Sequence, residues 1–139
     1  MTNAANDEGR SYPLPAEGEV VVSEAQSNPI RDKSFEFAVE IISLYRGMTK
    51  LGEFIVSKQL MRSGTAVGAL VEEGIAAESR RDFLHKMSLA HKEARETHYW
   101  LRLLVASDLI PRLDLSQYLA DADELVSLLT AITRSVKNS

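Results

Sequence analysis

Apolar residues recur at three- and four-residue intervals along four stretches of this chain, separated by short polar or glycine-containing breaks. That period is the one an amphipathic α-helix presents. The first stretch covers about 33–48, with Phe35, Ala38, Ile42 and Tyr45 on one stripe, and Gly47 and the segment 49–52 are expected to close it. The second covers about 52–74. The third opens at Ser79-Arg80-Arg81-Asp82, which resembles a capping box with Asp in place of Glu. It runs to about 109, where Pro111 forbids continuation. The fourth starts at Asp114 or Ser116 and reaches about 136, with Leu115, Leu119, Ala122, Leu125 or Val126, Leu129, Ile132 and Val136 turned inward. No stretch reads convincingly as a strand.

The third stretch carries the clearest pattern. Phe83, Met87, Ala90, Ala94, Thr97, Leu101 and Leu104 alternate four- and three-residue steps, an unbroken heptad seam. Such a seam packs at a shallow angle against its neighbours, and short connections favour antiparallel ones. The expected fold is all-α, an antiparallel up-down-up-down four-helix bundle.

Charge divides the chain at about residue 30. Residues 1–30 hold five acids (Asp7, Glu8, Glu17, Glu19, Glu24) against Arg10, and three of the prolines, whereas residues 31–139 balance their charges. A segment with so few large apolar residues cannot offset the entropy of its own ordering, so a flexible acidic tail is expected over 1–30 and the bundle over 31–139. Val20-Val21-Val22 is the exception there, able to pair as a short strand or dock on a partner. At 139 residues the chain suits one domain. It has no Cys, which excludes disulfides, thiolate metal sites and cysteine nucleophiles. No run approaches the roughly 20 apolar residues of a membrane span. Met1–Arg10 lacks the apolar core of a signal peptide, so a cytoplasmic location is expected.

Two features ask for more than a single core. Gly64 and Gly68 lie inside the second helix, where each costs about 1 kcal/mol relative to Ala. They permit another backbone to come close, either within the chain or from a second subunit. On the third helix, Leu89, Trp100 and Leu103 lie off the seam and Tyr99 nearly opposite it. An isolated bundle would expose that surface, and such patches usually mark contacts. Homo-oligomerisation through Gly64, Gly68, Leu89, Tyr99, Trp100 and Leu103 is therefore expected.

Opposite its seam the third helix also presents Arg81, His85, His91, Lys92, Arg95, His98 and Arg102, with Tyr99 among them. Basic side chains around an aromatic can grip a nucleic-acid backbone and stack a base. Equally, they can form a solvated face tied by pairs such as Lys92–Glu96 and Glu78–Arg81. Catalytic constellations are thin. A di-iron bundle needs Glu-x-x-His on two helices, and the nearest match is Asp82-x-x-His85, once. His91 and His98 have no second pair to complete a metal site. Met61 and Met87 read as core rather than haem ligands. Glu72-Glu73 suit a helix end, or pairing with Arg80 or Arg81, better than acid–base work. No enzyme, cofactor or small-molecule substrate is expected.

A set of short motifs recurs in order through the body: Lys33-Ser34-Phe35-Glu36-Phe37-Ala38, Ser57-Lys58-Gln59-Leu60, Arg62-Ser63-Gly64-Thr65 with Gly68-Ala69, Ser79 with Asp82-Phe83, then Ala90, Lys92-Glu93-Ala94, Glu96-Thr97 and Tyr99-Trp100-Leu101. In this it resembles the bacterial four-helix-bundle family named for intervening sequences in the 23S ribosomal RNA gene. The resemblance implies a small bundle assembling as rings of five, without assigned biochemical activity. A structurally similar group serves reverse transcriptases as an accessory subunit that binds enzyme and nucleic acid. By that similarity Arg62, Arg81, Lys92, Arg95 and Arg102 become candidates for a partner surface, and His85 joins them by position. No catalytic residue is carried over. The chain departs from the family pattern at Leu70, where Asn is usual, and in its acidic tail.

Overall fold

In a computed structural model of the protein, the described residues are 28–139. The expected acidic tail and its Val20–Val22 segment lie outside them. Four helices follow one another: α1 (Pro29–Lys50), α2 (Val56–Ile75), α3 (Arg80–Ser107) and α4 (Ser116–Lys137). The backbones of α1–α2, α2–α3, α3–α4 and α1–α4 lie side by side while α1 faces α3, and α2 faces α4, across the core, which is the square section of a four-helix bundle.

Local chemistry sets the helix ends. The Asn28 side chain accepts from the Arg31 amide and Pro29 occupies the first turn, where its missing N–H costs nothing. The helix therefore starts four residues before the expected Lys33. Gly47 lies inside it, and the chain turns instead at Gly52, in the left-handed region at φ 88°. The Glu53 carboxylate then accepts from the amides of Ile55, Val56 and Ser57, so α2 begins at Val56 rather than Gly52. Burial pushes the Glu53 carboxyl upward, but those amide donors outweigh it and hold the group below its ordinary range. Ser79 caps α3 by accepting from the Asp82 amide, as its sequence suggests. The helix stops at Ser107 because Asp108 adopts a left-handed conformation (φ 52°) before Pro111 is reached.

The α3 seam is buried as the heptad requires: Met87, Ala90, Ala94, Thr97, Leu101 and Leu104 are enclosed and Phe83 is half-buried. In α4, Ala122, Leu125 and Leu129 are enclosed, as is Leu115 just before it. Helix α1 differs from expectation. Its inward stripe is Ile30, Ser34, Phe37, Ile41, Leu44 and Met48, while Phe35 is 65% exposed and Val39 51%. The buried set takes the same four-three steps as the α3 seam over the whole helix. The Phe35–Ala38–Ile42–Tyr45 stripe is a second, shallower apolar face beside it.

Candidate functional site: the outer faces of α1 and α3

The two glycines of α2 face α1 of their own chain. A Cβ on Gly64 would stand 2.9 Å from two side-chain carbons of Ile41, and one on Gly68 3.2 Å from the Ser34 carbonyl oxygen. Of the two explanations for them, close packing within the chain is what the structure shows. Their assignment to a subunit interface is corrected accordingly. On its other side α2 meets α3 through a buried hydroxyl pair, Thr97 donating to Ser63 over 2.8 Å. The Ser63 hydroxyl donates in turn to the Gln59 carbonyl, and the Glu93 carbonyl lies within reach of Thr97 as the alternative acceptor for its single proton, so both hydroxyls have partners inside the core.

Arg62 is likewise committed within the chain. Its guanidinium pairs with Glu93 and Glu96 across the α2–α3 groove, and the Glu96 carboxylate also accepts from the Trp100 indole N–H. The hydrogen bonds from Arg62 and then Trp100 hold the Glu96 carboxyl below its ordinary range. Arg62 therefore differs from the other candidate cations in having its charge already answered within the chain. Trp100 and Leu89 are half-buried, with Trp100 packed against the core cluster, so both belong to the flank of the bundle more than to its outside. Trp100 and Tyr99 meet edge to face at 5.2 Å.

Two histidines of the basic arc turn toward α4. The Thr130 hydroxyl donates to the Val126 carbonyl, so it accepts from His91 Nε2–H at 2.9 Å. Burial, and then the charges of Arg95 and Lys137, press the His91 ring toward its neutral form. His98 meets Asp123 at 2.9 Å. Glu72 and Glu73 pair with Arg31 and Lys86, not with Arg80 or Arg81. The expected Lys92–Glu96 and Glu78–Arg81 pairs are absent among the described residues.

What remains outward on α3 is Arg81, His85, Lys92, Arg95, Tyr99, Arg102 and Leu103. Arg102 lies 5.9 Å from the centre of the Tyr99 ring, a cation–π arrangement. Arg81, Lys92, Arg95 and Arg102 make no ion pair among the described residues. Diagonally opposite, α1 shows Phe35 and Val39 beside Asp32, Glu36 and Glu40. An apolar cleft of about 210 Å³ lined by Phe35, Ala38, Thr65, Gly68, Ala69 and Glu72 runs along its α2 side. On its α4 side an open cleft of about 460 Å³ is walled by Glu36, Glu40, Asp121 and Glu124.

A further apolar cluster, missed in the sequence, caps one end of the bundle: Leu51, Phe54, Ile55 and Leu109 stand exposed where the two connecting turns meet. The signal was available, because turns are ordinarily polar and the segment after Gly52 is not. No group of three or more metal-ligating side chains occurs among the described residues. No helix there is long and apolar enough to cross a membrane.

The sequence pattern of the 23S rRNA-intervening sequence protein family matches residues 26–131. Among solved structures, the chain is similar to a protein of unknown function from the S23 ribosomal protein family of Bacteroides thetaiotaomicron, with 44% identity and a TM-score of 0.71, over 75% of this chain and 97% of that one. No curated protein matches.

Proposed function

The chain belongs to the 23S rRNA-intervening sequence protein family, and from that premise we propose that it is a non-enzymatic cytoplasmic assembly protein, a bundle whose copies join into a ring. By the family resemblance the expected number of copies is five. One observation carries the reading: large apolar side chains lie exposed on two diagonally placed helices, Phe35 and Val39 on α1 and Tyr99 and Leu103 on α3. Burying apolar area stabilises by about 25 cal/mol per Å², so both faces favour being covered. A two-fold dimer brings the same patch together from each copy and would leave one of these faces bare. A head-to-tail contact covers both, and such contacts close into rings when the rotation allows.

The test is the mass of the protein at micromolar concentration, by light scattering or native mass spectrometry. A multiple of the 15.4 kDa chain is expected, fivefold if the resemblance holds. A fully helical 15.4 kDa monomer overturns the reading. A second reading, contact with nucleic acid, has the unpaired cations of α3 in its favour. Its mark would be binding that weakens steeply with salt and ignores sequence. The even charge balance of residues 31–139 gives it little long-range support.

A further inference from the structure

We infer that the outer face of α1 in one copy seats on the outer face of α3 in the next, an inference that rests on the head-to-tail reading above and names its two surfaces. Each face is an apolar pair four residues apart, Phe35 with Val39 and Tyr99 with Leu103, hence about one helical turn. Each pair has unanswered charge beside it, and the signs are opposite. On α1 these are Asp32, Glu36 and Glu40; on α3 they are Lys92, Arg95 and Arg102. All six are exposed and none makes an ion pair among the described residues. Complementary potentials of this kind steer association and fix which surfaces pair.

The two faces also stand level. Gly64 lies against Ile41 on one side of α2, and its neighbour Ser63 bonds Thr97 on the other, so Ile41 and Thr97 share a height. On the α4 side Lys33 pairs with Glu124 while His98 pairs with adjacent Asp123, so by that route His98 stands near Lys33, about 12 Å along α1 from Ile41. The two routes bracket α3 around 97–98 between Lys33 and Ile41, and Phe35 and Val39 lie inside that bracket. Copies standing side by side with their helices parallel bring Phe35 and Val39 to Tyr99, and Glu36 and Glu40 to Arg95 and Arg102. Such a contact closes a ring when its rotation is a whole fraction of a turn and otherwise extends as a filament.

Charge reversal tests this on the full chain. The half-swaps Glu36→Lys/Glu40→Lys and Arg95→Glu/Arg102→Glu each set like charges face to face. Each is expected to yield a folded 15.4 kDa monomer under conditions where the parent assembles, with circular dichroism confirming its helices. The chain carrying all four substitutions restores opposite signs and is expected to reassemble to the parent's mass. Half-swaps that assemble like the parent, or a four-fold variant that stays monomeric, overturn the inference. So does an Arg95→Glu/Arg102→Glu chain that assembles normally but no longer retains polyuridylate at low salt, since that face would then belong to nucleic acid. A monomeric parent is a different result and counts against the assembly reading itself.

Discussion

Helices α1 and α3 stand diagonally across the bundle, bury the same kind of heptad stripe, and turn contrasting chemistry outward. Behind the α3 seam lies a mostly cationic surface with Tyr99 and Leu103 on it and Val105 exposed near its C-terminal end. Behind the α1 stripe lies a phenylalanine and a valine among carboxylates, flanked by a half-buried Ala38 and Ile42. A helix serving one core is apolar on one stripe and polar opposite it. Helix α3 approaches that condition, whereas α1 is apolar on two adjoining stripes. The surplus on α1 is what a single bundle leaves over, and it sits where a second covering layer would be placed.

The contrast within α1 can be broken most forcefully at its inner stripe. Ile41→Ala removes a fully enclosed side chain and is expected to lower stability by about 2–5 kcal/mol in urea denaturation. Phe35→Ala on the outer stripe should leave the dissociated chain within about 0.5 kcal/mol of the parent. Equal losses at the two positions would mean that the inner and outer stripes are wrongly distinguished.

A smaller effect is expected at the notch into which Ile41 fits. Gly64→Ala gains about 1 kcal/mol of helix propensity but forces a Cβ to within 2.9 Å of Ile41. Overpacking should outweigh the gain, for a net loss of about 1–2 kcal/mol. A stabilised variant would show that α1 and α2 can part cheaply.

The smallest effect concerns the α3–α4 side. Burial, Arg95 and Lys137 depress the His91 pKa, so the unfolded chain takes up the proton first as pH falls. Stability is then fully present above the ordinary imidazole pKa of about 6.5 and declines as the pH drops below it. Thermal unfolding between pH 7.5 and 5.5 should show this decline, and His91→Gln, which keeps a donor for Thr130, should flatten it. An unchanged slope in the variant would place the titration elsewhere.

The same contrast explains what could be read from the chain alone. The α3 seam was legible residue by residue because every charged side chain avoids it. The α1 stripe expected from sequence differs from the buried one by one residue throughout, about 100° around the helix, because two apolar periods compete there, and contact with Gly64 and Gly68 decides between them. Those glycines were correctly singled out as sites of close approach, but a missing Cβ does not say which backbone approaches. Arg62 illustrates another gap, since its partners Glu93 and Glu96 are 31 and 34 residues away and on a different helix. The outward position of Arg81, Lys92, Arg95 and Arg102 follows from helical geometry alone, whereas the acidic strip of α1 is legible only once its buried stripe is known.

The glycine notch of α2 also has an effect at a distance from itself. By seating Ile41 it locks the azimuth of α1, and a helix held at one azimuth shows the solvent one fixed set of side chains. Rolling α1 about its own axis in the sense that tucks Phe35 inward would turn Glu40, on the other flank, further outward and replace the set of groups shown to solvent. Two absent methyl groups, enclosed and far from any exterior contact, therefore determine what the molecule presents on its outside.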